Sequence, residues 1–167
     1  MDDHEFDAFY TGSYSRLVGQ LHALIGDRTE AEECVQEAFA RAWTHRRSLT
    51  RDGQPEAWVR TTAYRHAVSR WRRVARGRRP ADRALAPPDA ARGPDATRLD
   101  VVAALARISP DQRRAIVLHH LADLSVEEVA REVGAPVGTV KARLSRGRTA
   151  LAALLAASDS SEGITHA

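Results

Sequence analysis

Residues 77–97, GRRPADRALAPPDAARGPDAT, interrupt this chain with four prolines and two glycines, Gly77 and Gly93. Proline removes a backbone donor and clashes inside a helix, and apart from Leu85 the segment offers nothing to bury, so it predicts an extended or disordered linker. A chain of 167 residues can hold one ordinary domain or two small ones, since domains of roughly 60 residues still fold alone if their helices pack well. The linker predicts a domain boundary here. The expected limits are 1–76, linker 77–97, 98–157, and a disordered tail over 158–167.

Aromatics make up only 5% of the chain while Ala, Leu, Val and Arg recur, which favours small, closely packed helices over strands. The expected class is all-α. Net charge is only +3, and Lys141 is the single lysine. A GC-rich genome encodes arginine freely, so position carries more than abundance. Residues 1–40 hold nine acids against Arg16 and Arg28, whereas residues 60–83 hold nine arginines against Asp82. That segregation predicts two partners, one for each sign of charge. Cys34, the only cysteine, excludes an intramolecular disulfide and a thiolate-rich zinc site, and reads as a small buried hydrophobe. No leader and no apolar run near 18 residues is visible, so a cytoplasmic protein without a membrane segment is expected.

The spacing of Phe6, Phe9, Tyr10, Leu17, Leu21, Leu24 and Ile25 predicts a first helix that Gly26-Asp27 ends. A second is predicted over Thr29–Arg46, with Ala31, Val35, Ala38, Phe39, Ala42 and Trp43 as its apolar stripe and Glu32, Glu33, Gln36, Glu37 and Arg41 off it. Residues 48–55 cluster Gly, Pro and Asp and predict a loop. A third helix follows from Glu56 into the arginine-rich run. Beyond the linker, Leu99, Val102, Leu105 and Ala106 open a helix. Ser109-Pro110-Asp111-Gln112 and Ser125-Val126-Glu127-Glu128 each predict a capping box, worth about 1 kcal/mol per cap. The helix from Ser109 carries Ile116, Val117 and Leu121; the one from Ser125 runs to Val133, where Gly134 stops it. A last helix is expected from Val137 to Leu155.

Ser125 to Leu155 has helix-turn-helix spacing: a short helix, the turn Gly134-Ala135-Pro136, then a longer basic helix. At 100° per residue Val140, Leu144, Gly147 and Leu151 share a core face, while Lys141, Ala142, Ser145 and Arg146 share the opposite one. Long side chains at Lys141 or Arg146 reach base edges or phosphates in a major groove, and Arg143 and Arg148 flank the face as phosphate contacts. An amphipathic helix with a merely solvated basic face would look similar. In the third helix Trp58, Tyr64 and Trp71 interleave with Arg60, Arg65, Arg70, Arg72, Arg73 and Arg76, a pattern in which arginines follow phosphates and aromatics stack on unpaired bases. Trp58 reads more simply as core than Trp71 does.

These segments resemble the extracytoplasmic-function (ECF) sigma factors, in particular an actinobacterial SigE-like subgroup. TEAEECVQEAFARAW (29–43) resembles that family's helix gripping the β′ coiled coil of RNA polymerase, and PVGTVKARLSRGR (136–148) its helix for the upstream promoter element. The resemblance implies two helical domains, sigma region 2 and a region 4 helix-turn-helix, that bind core polymerase at the β′ coiled coil and β flap and direct it to promoter DNA. It implies polymerase contacts at Glu33, Gln36, Glu37 and Arg41. Downstream (−10) contacts would fall on Trp58, Arg65, Arg70, Trp71, Arg72 and Arg73. Upstream (−35) contacts would fall on Thr139, Lys141, Ala142, Arg143, Ser145, Arg146 and Arg148. Loop 48–55 would help capture a flipped base, the linker would thread toward the active-site channel and RNA exit path, and an anti-sigma protein is a possible partner. Ala63-Tyr64-Arg65 with Ser69 departs from the commoner Ala-Arg-Asn followed by Asp.

An alternative is a stand-alone helix-turn-helix regulator that reads a palindrome, its first domain dimerising or sensing a ligand. The acidic helix followed by an Arg/Trp helix favours the sigma reading, since a regulator needs no single-strand surface. No enzyme, cofactor or metal is expected. His119 and His120 point about 100° apart on a helix and do not converge on one ion, and no phosphate-binding glycine loop or nucleophile elbow is visible.

Overall fold

The computed structural model describes residues 1–77 and 96–162, in which every regular element is a helix. The chain divides into two compact units, Met1–Asp89 and Ala90–Ala167. Most of the 77–97 segment lies outside the described residues, as do residues 163–167 of the expected tail.

In the first unit, helix α1 (Asp3–Ile25) starts at a reciprocal cap. The Asp2 carboxylate accepts from the Glu5 N–H and the Glu5 carboxylate from the Asp2 N–H, both at 2.8 Å, which satisfies two donors the helix start leaves free. Gly26 ends it at φ 80°, a left-handed conformation that costs glycine little. Helix α2 (Arg28–Thr44) is capped by Asp27 and packs on both α1 and α4 (Pro55–Gly77). Ala31, Cys34, Val35, Ala38, Phe39 and Ala42 are its buried residues. Against them lie Leu17, Val18 and Leu21 of α1 and Val59, Ala63 and Ala67 of α4. The alanines let the three backbones approach closely.

Two expectations are corrected here. The second helix ends at Thr44, not Arg46, and the predicted loop is largely a short helix, α3 (Arg46–Asp52), ended by Gly53 at φ 69°. The carbonyl of His45 accepts from Ser48 and Leu49 N–H, and Leu49 is buried; one well-buried leucine holds a turn that composition alone reads as loop. Trp43 also departs from the apolar stripe. It is 36% exposed, set edge-on against Phe6 at 5.0 Å, with the Arg46 guanidinium 3.9 Å over its ring.

The second unit comprises α5 (Ala96–Arg107), α6 (Pro110–Ile116), a π-helical turn (Val117–Leu121), α7 (Val126–Val133) and α8 (Val137–Glu162). Helix α5 begins inside the segment expected to be linker, and α8 continues past Leu155. Arg113 closes the end of α5, donating to the carbonyls of Leu105 (2.7 Å), Ala106 (3.0 Å) and Ile108 (3.2 Å). Ser109 accepts from Gln112 N–H at 3.3 Å, but this cap is one-sided, whereas Ser125 and Glu128 form the full box. Gly134 ends α7 at φ 67°. Helices α5, α6 and α7 all pack on α8, enclosing Val102, Leu105, Ile108, Ile116, Val117, Leu118, Val129, Val140 and Leu144. At Gly147 the fit is tight: a Cβ there would lie 2.7 Å from Ile116 Cδ1, so the end of that side chain would have to shift.

Candidate nucleic-acid interface

Helix α8 divides as its spacing predicts. Val140, Leu144 and Gly147 are buried and Leu151 is half-buried, while Thr139, Lys141, Ser145 and Arg146 are exposed and Ala142 is half-buried. The turn that presents this helix is fixed by the left-handed Gly134 and by α7, whose Val129 and Ala130 are buried. Ala130 is small where α7 meets α8.

The flanking arginines are not simply solvated. Arg143 donates through Nη2 to Asp111 Oδ2 at 2.9 Å, and Arg148 donates through Nε to His120 Nε2 at 3.1 Å. Asp111 stands at the start of α6 and His120 near the end of the π turn, so one continuous segment holds an arginine at each edge of the reading face. The π turn, in which Ala122 N–H reaches back to Val117 O, was not legible in the sequence. It sets the His119 and His120 rings 4.8 Å apart at 75°. His119 Nδ1 is spent on the Leu124 carbonyl at 2.7 Å. No group of three or more His, Cys, Asp or Glu that could hold a metal occurs among the described residues.

In the first unit, residues assigned to different partners share one groove between α2 and α4. Glu33, Gln36, Glu37 and Arg41 line it from α2, and His66, Arg70 and Arg73 from α4, over a volume of about 640 Å³. Arg70 bonds Glu33 at 2.7 Å and lies 3.7 Å from Glu30. On this face Arg70 is paired with the acids of α2, as Arg143 is with Asp111 in the second unit. Glu37 pairs with Arg41 at 3.0 Å, and Gln36 donates to the Tyr14 hydroxyl at 3.2 Å. Beneath them burial pushes the Cys34 thiol up, with Arg70 pulling against it. His66, which sequence reasoning did not single out, is held below its ordinary value by burial and then by Arg41.

The arginine and tryptophan pattern of α4 resolves by position. Arg60 is buried and so is withdrawn from any phosphate-following surface, and Trp58 is half-buried with His45 at 6.0 Å. Arg65, Arg72 and Arg73 are exposed, and Trp71 is 69% exposed. A tryptophan left in water among arginines is what stacking on an unpaired base requires.

Residues 9–77 match the sigma-70 region 2 family and residues 98–151 the sigma-70 region 4 family, in that order. The ECF RNA polymerase sigma factor SigL of Mycobacterium tuberculosis is 34% identical over 130 residues, 72% of each protein. The chain is an ECF sigma factor. The RNA polymerase sigma-H factor of Pseudomonas aeruginosa is 27% identical over 169 residues, 90% of this chain and 86% of that protein. Among solved structures, the sigma factor RpoE from Bartonella quintana, crystallised with the anti-sigma factor NepR, is similar at a TM-score of 0.72. It is 26% identical, with 90% of this chain and 96% of that one covered. The sigma factor accordingly binds core RNA polymerase and directs promoter recognition and transcription initiation. Matching both regions in order disfavours the stand-alone regulator. Its relatives are sigma factors rather than enzymes, and no described helix is long and apolar enough to cross a membrane.

Proposed function

We propose that α8 reads the upstream promoter element, with Lys141, Ser145 and Arg146 facing base edges and Thr139, Arg143 and Arg148 facing phosphates, Ala142 lying against a thymine methyl. The observation that carries this is the division of α8 into a buried Val140-Leu144-Gly147 face and an exposed Lys141-Ser145-Arg146 face. Major-groove readout needs a helix anchored on one side and long donors on the other.

In the first unit α2 docks on the polymerase β′ coiled coil through Glu33, Gln36, Glu37 and Arg41. The exposed end of α4, with Arg65, Trp71, Arg72 and Arg73, receives the downstream element as it opens, and the second unit also meets the β flap. The functional limits are region 2 over 1–76, a connecting segment over 77–97, and region 4 over 98–157. The factor works in the cytoplasm, carries out no reaction of its own, and takes an anti-sigma protein as a partner, a reading supported by the Bartonella relative's co-crystal structure with one.

The test is selection of duplexes from a random-sequence library by holoenzyme reconstituted with core polymerase. Arg146→Ala should relax preference at one position of the selected upstream element. Unchanged preference would place the reading face elsewhere.

A further inference from the structure

Arg148 and His120 meet through specific atoms. Guanidinium Nε–H can only donate, so His120 Nε2, 3.1 Å away, must present its lone pair, and the imidazole is neutral with its proton on Nδ1. An arginine anchored through Nε keeps its four Nη–H donors, the set that grips a phosphate. Arg148 itself is exposed. The geometry of one edge of α8 is therefore that of a phosphate-contacting side chain steadied from behind by a second residue.

We propose that His120 is a positioning residue for promoter binding, its neutral ring orienting Arg148 toward the DNA backbone. This rests on the reading of α8 as the DNA-facing helix. Holding a long side chain in place before DNA arrives lowers the conformational entropy lost on binding. A protonated ring has no lone pair and sets a like charge beside the guanidinium, so the steadying is lost in acid. The groups acting on the ring are Arg148 from α8 and His119 from its own turn; burial first, then these two, hold His120 below its ordinary value. His120 therefore stays an acceptor at neutral pH.

The experiment measures affinity of the reconstituted holoenzyme for a duplex it has itself selected, across salt and pH, for wild type and four variants: Arg148→Ala, His120→Ala, His120→Gln, and His120→Ala with Arg148→Ala. Arg148→Ala should lower the salt slope by about one unit. At neutral pH His120→Ala should weaken binding about threefold, the scale of one modest hydrogen bond. His120→Gln, whose amide oxygen still accepts, should restore it. Adding His120→Ala to Arg148→Ala should change nothing more. The affinity ratio of wild type to Arg148→Ala should shrink as the pH falls below the ordinary histidine range and stay flat with His120→Gln. If Arg148→Ala lowers the slope while His120→Ala, folded to wild-type helicity, binds as wild type does, the positioning role is wrong and the DNA-facing reading survives. If Arg148→Ala has no effect, that reading of Arg148 fails and the role of His120 goes with it.

Discussion

Glu33 and Arg70 bind one another at 2.7 Å across the groove between α2 and α4, joining the acidic helix of the first unit to its arginine-rich one. Their side chains are 53% and 41% exposed, so solvent screens the pair and its contribution to stability is about 0.2–1 kcal/mol. Glu33→Gln should lower unfolding free energy by no more than that in a denaturant titration, yet weaken capture by core polymerase markedly. Equal losses in both measurements would make Glu33 a structural residue and leave the docking surface unidentified.

The α8 faces should fail differently. Leu144 is 3% exposed, and Leu144→Ala should destabilise the second unit by roughly 2–5 kcal/mol, because a cavity is left under the helix. Arg146→Ala should leave stability alone and reduce discrimination at one base pair by about 1–3 kcal/mol. Thermal unfolding and binding to base-substituted duplexes separate the two; a fully stable Leu144→Ala would mean the helix faces the other way.

Gly147 should resist replacement for a steric reason. Alanine favours a helix over glycine by about 1 kcal/mol, but a Cβ at this position would meet Ile116 Cδ1 at 2.7 Å. Ile116 is itself only 4% exposed and has little room to give way, and overpacking costs about 1–3 kcal/mol. Gly147→Ala is expected to lower the melting temperature. Ile116→Val, destabilising in the parent, should become neutral or stabilising beside Gly147→Ala. Additive losses would point away from the clash.

Trp71, 69% exposed, should matter to opening and not to folding. Trp71→Ala should keep wild-type stability while weakening retention of the opened strand by about 1–3 kcal/mol, the worth of one base on an aromatic face. Permanganate reactivity of thymines in the opened promoter measures this. Wild-type reactivity would move the stacking role to another residue.

Acid should loosen the first unit through His66. Burial, then Arg41, depress its folded-state ionisation, with Glu37 opposing and Arg73 and Arg70 adding to the fall. The unfolded chain then binds the proton more readily. The stability associated with neutral His66 is present in full above the ordinary histidine value near 6.5 and is lost as pH drops through the lower folded value. His66→Gln should flatten the dependence of unfolding free energy on pH between about 5 and 7. A slope unchanged by that substitution would assign the acid response to other groups.

What the sequence made legible was local. Ser125, Glu128 and Gly134 mark the limits of α7 within a few residues, and the faces of α8 follow from helical period alone. Helix α3 was hidden because Asp52, Gly53 and Pro55 dominate the composition, while burial of Leu49, a tertiary event, holds the turn. The contacts of Glu33 with Arg70, Asp111 with Arg143 and His120 with Arg148 join residues distant in sequence, so assigning them by motif gave separate roles to side chains that share a partner. His66 carried no signal: a lone histidine in a helix is marked only by what folds around it.

The π turn at Val117–Leu121 behaves like an inserted letter in a reading frame. It holds one residue more than the α turn it replaces, so everything downstream is rotated by about 100° relative to an uninterrupted helix. Removing one residue there could regularise the helix and keep its hydrogen bonds, yet it would turn His120 away from Arg148 and swing the start of α7 off its bearing. The length of this turn therefore sets the bearing of α7 and the meeting of His120 with Arg148 as directly as the identity of His120 does.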